Sequence, residues 1–364
     1  MKNVVYVTPL HFDKSSYLGG GERYPLNLAK ATVLDGEHTV TLVSYGDGDE
    51  ILRRPLAPGV TLEVLPAARR RPGTERLSWA IAQALEQATV VHIHQIFTRS
   101  GEVAFLAAKL LEKPVVVSDH GGASSDLGRS LGILELADRI VCYSRFGESL
   151  LGSHPDTVTL VPGGVDDEYF TPPPAQTERD TVVFVGRLLP HKGVDRLIAA
   201  LPADVPLAVC GQPYDLAYFD TLQRLAVGKR VKFVTGASDE DLRDLYRRAL
   251  AVVLPSVYVD FYGHATAWPE LMGLSLLEGA ACGAPAICAR TGGMPEFVDD
   301  GISGFVFDEL AELTAAIERL RDEPDLALRM GAAGRDAVER RFGLQAVGEA
   351  MRDVYETVAK GPTT

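Results

Sequence analysis

Two hydrophobic patterns alternate along this chain. Short apolar runs occur at residues 4–8, 39–44, 90–94, 115–118, 139–142 and 158–161. Between most of them lie stretches with apolar residues at helical spacing, beginning with 22–35. A strand that reads as a continuous apolar run is buried on both faces, which predicts a parallel sheet with helices on either side. Residues 171–180 break the pattern, because the prolines at 172–174 can continue neither a helix nor a central strand. The alternation then restarts, with strands expected at 181–185, 207–209, 231–234, 251–254, 284–288 and 304–306. Ser238 is placed as an N-cap for a helix with Asp239, Glu240 and Asp241 in its first turn and Leu242, Leu245, Tyr246 and Ala249 on its apolar face. Two last helices are expected near 324–341 and 344–359.

The expected fold class is therefore α/β, with two Rossmann-like, doubly wound domains facing a central cleft. An N-terminal domain would span 1–170, a linker 171–180 and a C-terminal domain 181–343. Residues 344–364 would form a helix packing back toward the N-terminal domain. A length of 364 residues suits two cores rather than one. In such sheets ligands bind at the carboxyl ends of the strands, and a cleft between domains is a usual substrate site.

Composition narrows the function. A net charge of −13 argues against a general nucleic-acid partner and against docking on anionic lipid. The basic run Arg69–Arg71 reads as a solvated loop. Cys142, Cys210, Cys282 and Cys288 form no Cys-x-x-Cys pair, so neither a zinc site nor a redox dithiol is expected, and reduced thiols point to the cytoplasm. No signal peptide is read at Met1-Lys2, and no apolar run approaches the roughly 20 residues that span a bilayer. No stable membrane anchor is expected, and the oligomeric state is not legible. No His-x-x-x-His or similar spacing appears, so no metal is expected.

The densest chemistry lies in the segment 270–293, ELMGLSLLEGAACGAPAICARTGG. Its residues 274–282 read as a helix against a sheet and 284–289 as the strand that follows. Glu270 and Glu278 stand eight positions apart, about 12 Å on an ideal helix. Carboxylates on so apolar an element need donors, and sugar hydroxyls supply them. Backbone N–H groups near Gly273, Leu274 and Ser275 would hold phosphates at the helix start. The plainer reading is a capped helix with surface glutamates.

Four further constellations accompany it. Gly19-Gly20-Gly21-Glu22-Arg23 opens a helix, where glycines admit a ligand close to the backbone. It is not the dinucleotide fingerprint, because Thr8-Pro9-Leu10 stands where the first glycines belong. Asp119-His120-Gly121-Gly122 ends a strand and aims His120 at the cleft, to contact a sugar or assist the reaction. His92 and His94 are similarly placed, with a structural role favoured for His92. Residues 161–166, VPGGVD, make a turn that would shape the hinge. Gly186-Arg187-Leu188 ends the first strand of the second domain and Lys192-Gly193 opens the next helix, so Arg187 and Lys192 can converge on a diphosphate and neutralise a departing phosphate.

Taken together and in this order, Gly20-Gly21, His120-Gly121, the 162–166 turn, Gly186-Arg187, Lys192-Gly193, Glu270-x7-Glu278 and Gly292-Gly293 resemble glycosyltransferase family four, retaining enzymes of the two-Rossmann GT-B architecture. The resemblance covers nearly the whole chain. It implies that Glu278 binds the nucleotide's ribose, Glu270 sits by the donor sugar, Arg187 and Lys192 hold the diphosphate, and His120 lies near the transferred sugar. It also implies that Gly20 and Gly21 approach the phosphates or acceptor. The base would lie near Gly211 and residues 234–238. No cofactor is implied; the nucleotide sugar, taken as a UDP-sugar, is a co-substrate, and the acceptor a glycan or small molecule. Three departures stand out. Gly163 replaces the usual Asn of the turn, Leu271-Met272 replace Pro-Phe after the first glutamate, and residues 257–268, VYVDFYGHATAW, lengthen the approach to Glu270. Two other functions remain open at this level: a nucleotide-sugar epimerase of the same fold, and a catalytically silent nucleotide-sugar-binding protein.

Overall fold

The computed structural model describes residues 1–9, 12, 20–68, 76–119, 125, 127–152, 157–175, 177–266 and 268–361. The chain divides into two compact units, Met1–Gly164 with Leu344–Thr364, and Val165–Gly343.

The first unit is built on an eight-stranded sheet. Its strands are β1 (Lys2–Val7), β2 (His38–Gly46), β3 (Leu52–Ala57), β4 (Val60–Pro66), β5 (Val90–His94), β6 (Val115–Ser118), β7 (Arg139–Cys142) and β8 (Val158–Leu160). They lie in the order β3-β4-β2-β1-β5-β6-β7-β8. All neighbouring pairs are parallel except β3 with β4. Val4, Val5, Tyr6 and Val7 of the central strand are essentially inaccessible, as a doubly covered strand requires. The β3–β4 hairpin went unpredicted. Its outer strand, LRRPLA, is largely exposed and carries Pro55 and two arginines, residues that suit an edge and hide it from a search for apolar runs.

The last helix, Leu344–Lys360, belongs to this unit. Leu344, Val347, Met351, Val354, Tyr355 and Val358 form its buried stripe. At its heart is a directional chain of hydrogen bonds. The Thr32 hydroxyl donates to the Leu28 carbonyl, which can only accept. Tyr6 must then donate to Thr32 (2.8 Å) and Tyr355 to Tyr6 (2.7 Å). Tyr355 thus accepts from Nδ1 of His92 (2.8 Å), and Nε2 of the same ring hydrogen-bonds with the Ser118 hydroxyl. His92 is a structural histidine that ties the final helix to three strands of the sheet.

The second unit carries a six-stranded, wholly parallel sheet, ordered β11-β10-β9-β12-β13-β14. The strands are β9 (Thr181–Val185), β10 (Leu207–Cys210), β11 (Val231–Val234), β12 (Ala249–Leu254), β13 (Ala286–Ala289) and β14 (Gly304–Phe307). Winding reverses between β9 and β12, so the loops leaving these two strands diverge and open a crevice at their carboxyl ends. The helix Asp239–Arg247 has the expected cap: Ser238 and Asp241 form a reciprocal capping box. Ala249 lies in β12 rather than on that helix's face. The strand after the glutamate helix starts at Ala286, because the Ala284 N–H closes the end of the helix on Gly279 and Pro285 has no N–H to pair.

The chain passes between units at Gly164/Val165 and Gly343/Leu344, not through the proline run 171–180. The reason is local. Arg335 donates to the carbonyls of Asp167, Phe170 and Ala281, Arg247 donates to the Thr171 carbonyl, and buried Phe170 packs on Tyr246. Residues 165–171 are thereby fixed to the second unit.

Candidate active site

The crevice at the β9/β12 divergence collects most of the residues singled out in the second half of the sequence. After β9 come Gly186 and the exposed Arg187, then a 3₁₀ turn, Pro190–Lys192. Gly186 lies beside Gly211 at the end of β10, where an added Cβ would fall 1.8 Å from the Gly186 carbonyl oxygen. Arg187 faces the ring of Tyr214 at 5.9 Å, within cation–π range.

Lys192 and Glu270 form the central contact. Nζ of Lys192 lies 2.6 Å from Oε2 of Glu270, and the two side chains are only 12% and 20% exposed. Such a short, half-buried, charge-assisted bond joins residues far apart in sequence. His191, next in the turn, has its imidazole pKa pushed down to about 4 by burial, then by the charges of Lys192 and Arg187. The turn thus holds a neutral ring between two cations.

Glu270 is not on the helix. The helix runs Leu274–Ala281, and Gly273 ahead of it takes φ +91°, a left-handed turn that puts Glu270 in the preceding loop. The ideal-helix distance between the two glutamates therefore does not apply. Gly292 and Gly293 set the height of Glu270 from behind. The Gly293 N–H donates to the Glu270 carbonyl at 3.0 Å, and a Cβ on Gly292, at φ +60°, would sit 2.0 Å from that same oxygen. The N-cap residue of this helix, Gly273, has no side chain with which to cap the N–H groups of the first turn, where Leu274 and Ser275 stand.

Glu278 lies further along the helix, buried, with Oε2 accepting the Tyr246 hydroxyl at 2.8 Å. It does not join the Lys192–Glu270 pair. Tyr246 was legible in the sequence as a buried position; its partner, on another helix, was not.

In the first unit, Gly20 and Gly21 form the first turn of the helix Gly20–Thr32. His120 lies outside the described residues; the strand leading to it, β6, ends at Ser118. Among the described residues, no group of three or more His, Cys, Asp or Glu is set to hold a metal. No described helix is long and apolar enough to cross a membrane.

The lengthened segment before Glu270 is a hairpin. Val259 bridges Ala265 in antiparallel fashion, the Thr266 N–H donates to the Tyr258 carbonyl, and Asp260 closes the tip by accepting from the N–H groups of Tyr262 and His264.

Two family descriptions match this chain in succession. Residues 18–169 match glycosyltransferase family 4, and residues 165–337 match the group 1 glycosyl transferases. A D-inositol 3-phosphate glycosyltransferase of Catenulispora acidiphila is 31% identical over 311 residues, 72% of this chain and 70% of that protein. This chain is a family 4 glycosyltransferase. Among its other relatives is a GDP-mannose-dependent alpha-(1-6)-phosphatidylinositol monomannoside mannosyltransferase of Mycolicibacterium smegmatis, 34% identical over 218 residues and 53% of each chain. The fold is shared with solved glycosyltransferases of the GT-B type. Sucrose-phosphate synthase of Thermosynechococcus elongatus superposes with a TM-score of 0.76 at 20% identity over the whole of both chains. Anabaena HepE, solved with UDP and glucose, does so with 0.74 at 18% identity over 97% of this chain and 99% of the other. The glycosyltransferase thus has the two parallel-sheet Rossmann-like domains expected of it.

Proposed function

We propose that this glycosyltransferase moves a hexose from a nucleotide sugar, with UDP as the nucleotide, to an acceptor hydroxyl and retains the anomeric configuration. The unit Val165–Gly343 would hold the donor and the other unit the acceptor. One observation carries the reading: the half-buried Lys192–Glu270 pair at the divergence of β9 and β12, with Arg187 on the same loop.

A diphosphate offers Lys192 a more highly charged partner than a single carboxylate. When it binds, Glu270 is released to accept hydrogen bonds from sugar hydroxyls. Arg187 supplies a fork of donors to the same diphosphate, and the N–H groups at the start of the helix Leu274–Ala281 add their dipole. Glu278, held by Tyr246, would take the ribose, and Gly211 would lie beneath the nucleoside. His120 is assigned to the sugar side, and Gly20 and Gly21 to the phosphates or acceptor.

In the transfer, the bond between the anomeric carbon and the β-phosphate oxygen breaks and the charge on that oxygen grows. Arg187 and Lys192 stabilise this charge more than the ground state, which is what lowers the barrier. The acceptor oxygen bonds to the same face of the anomeric carbon, and its proton passes to the departing phosphate. The products are the glycoside and the nucleoside diphosphate.

The test is direct. The full chain is incubated with UDP-, GDP- and ADP-hexoses and a panel of polyol and sugar acceptors. The names of the relatives make D-inositol 3-phosphate the first acceptor to try. Proton NMR of the product then reads the anomeric configuration. Retention with a UDP-sugar is expected; inversion, or a donor turned over only to its epimer, would overturn the proposal.

A further inference from the structure

The hairpin before Glu270 is fastened to both halves of the Lys192–Glu270 pair. At its base, the Val257 N–H donates to the His191 carbonyl at 2.9 Å, inside the turn that presents Lys192. One residue on, the Tyr258 hydroxyl accepts from the Gly292 N–H at 3.0 Å. Gly292 is the residue whose backbone lies hard against the Glu270 carbonyl, and Gly293 bonds that carbonyl. Consecutive residues at the base of the hairpin thus grip the cation's turn and the loop behind the carboxylate.

The rest of the hairpin looks outward. Tyr258, Val259, Phe261 and Tyr262 are all more than 40% exposed. Phe261 approaches Tyr218 at 6.0 Å, so the tip spans from the β12 loop to the helix after β10. Asp260 closes the tip through backbone N–H groups, which makes the hairpin a shaped element rather than a slack loop.

We propose that Tyr258 is a positioning residue that makes the hairpin a donor-sugar selectivity element. It fixes the loop behind Glu270 and, through that backbone, the point at which the carboxylate meets the sugar hydroxyls. This rests on the reading that Glu270 contacts the donor sugar. Losing one net hydrogen bond at this joint is worth about 0.5–1.5 kcal/mol, or roughly two- to tenfold in an equilibrium. The effect falls on the sugar end of the donor, because the diphosphate is gripped by Arg187 and Lys192 on a separate loop.

The experiment compares wild type, Tyr258→Phe and Glu270→Gln. For each, kcat/KM is measured for the preferred nucleotide sugar and for its epimeric competitor, and Kd is measured for the free nucleoside diphosphate. Tyr258→Phe is expected to cut the discrimination ratio between the two sugars about twofold to tenfold and to leave the Kd of the nucleoside diphosphate unchanged within error. An unchanged ratio, or an equal loss in binding of the nucleoside diphosphate alone, overturns the proposal. Glu270→Gln separates the two failures. If it too leaves the ratio unchanged, Glu270 does not read the sugar and the underlying assignment fails; if it alters the ratio and Tyr258→Phe does not, only the role of Tyr258 fails.

Discussion

Replacing Lys192 with alanine tests the site most sharply, because the ion pair it makes and the catalytic role proposed for it are separable. In the structure it neutralises Glu270 at 2.6 Å with both side chains largely covered. An exposed ion pair is worth up to about 1 kcal/mol, whereas breaking a fully buried one costs about 3–5 kcal/mol. The exposures of 12% and 20% place this pair between those limits. Lys192→Ala should therefore cost about 1–3 kcal/mol of stability, a drop of a few degrees in Tm. In the proposed reaction, Lys192 would also meet the charge growing on the departing phosphate. Losing one such preorganised charge contact costs about 10²- to 10³-fold in kcat.

A double variant tells these jobs apart. Lys192→Ala with Glu270→Gln removes the stranded carboxylate, so most of the lost stability should return. Turnover should not, because the phosphate still lacks its cation. Thermal unfolding and initial rates of nucleoside diphosphate release measure the two quantities on the same samples. A Lys192→Ala enzyme within threefold of wild-type kcat/KM, or a double variant that regains turnover, would refute the assignment.

Two further outcomes follow from other parts of the fold. Tyr355→Phe breaks the hydrogen-bond chain at its middle, orphaning the buried donor at Nδ1 of His92, and should lower stability by about 2–3 kcal/mol in thermal or urea unfolding; an unchanged midpoint would show that the chain contributes nothing. His191 stays neutral in the fold down to about pH 4 but takes up a proton near 6.5 once unfolded, so stability should fall as pH drops from about 6.5 to about 4. The slope is at most about 1.4 kcal/mol per pH unit, and roughly half that with the ring only partly covered; His191→Gln should flatten Tm against pH in this window, and a parallel curve would contradict it.

Much of this architecture can be read from the chain because burial and periodicity coincide. Strands β5, β6, β7, β9 and β11 fall on their predicted residues because each carries a mostly apolar run, and in β5 and β6 every position is buried. The hairpin strand Leu52–Ala57 escaped because an edge needs no apolar run. The proline run misled because prolines end a regular element without saying which body holds the chain; Arg335 and Arg247, far downstream, decide that. At the site, residue types were legible and pairings were not. Arg187, Lys192 and Glu270 announce themselves as a cationic loop and a carboxylate beside glycines. That Lys192 should choose Glu270 is a fact of the sheet's winding, which brings together the ends of β9 and β12 from distant parts of the chain. The helical spacing of the two glutamates failed for a local reason, the left-handed turn at Gly273.

The winding also keeps the segment 257–268 apart from the floor of the site. Backbone contacts fix the crevice floor: Gly211 against Gly186 and Gly292 against Glu270 leave no room for a Cβ, so their geometry is set by main chain rather than by replaceable side chains. The loop between β12 and Glu270 is under no such constraint along most of its length. It needs only to leave the strand and return to the Glu270 turn, and loops tolerate insertion where their backbone is exposed. Here the segment makes one polar hold on each side, at His191 and at Gly292. On the proposed reading, a segment fastened to both partners of the ion pair would alter how that pair meets a sugar while leaving its grip on a diphosphate intact. Variation in donor sugar on a constant phosphate-binding floor is the behaviour this arrangement permits, and the contrast between Tyr258→Phe and Lys192→Ala measures the two parts separately.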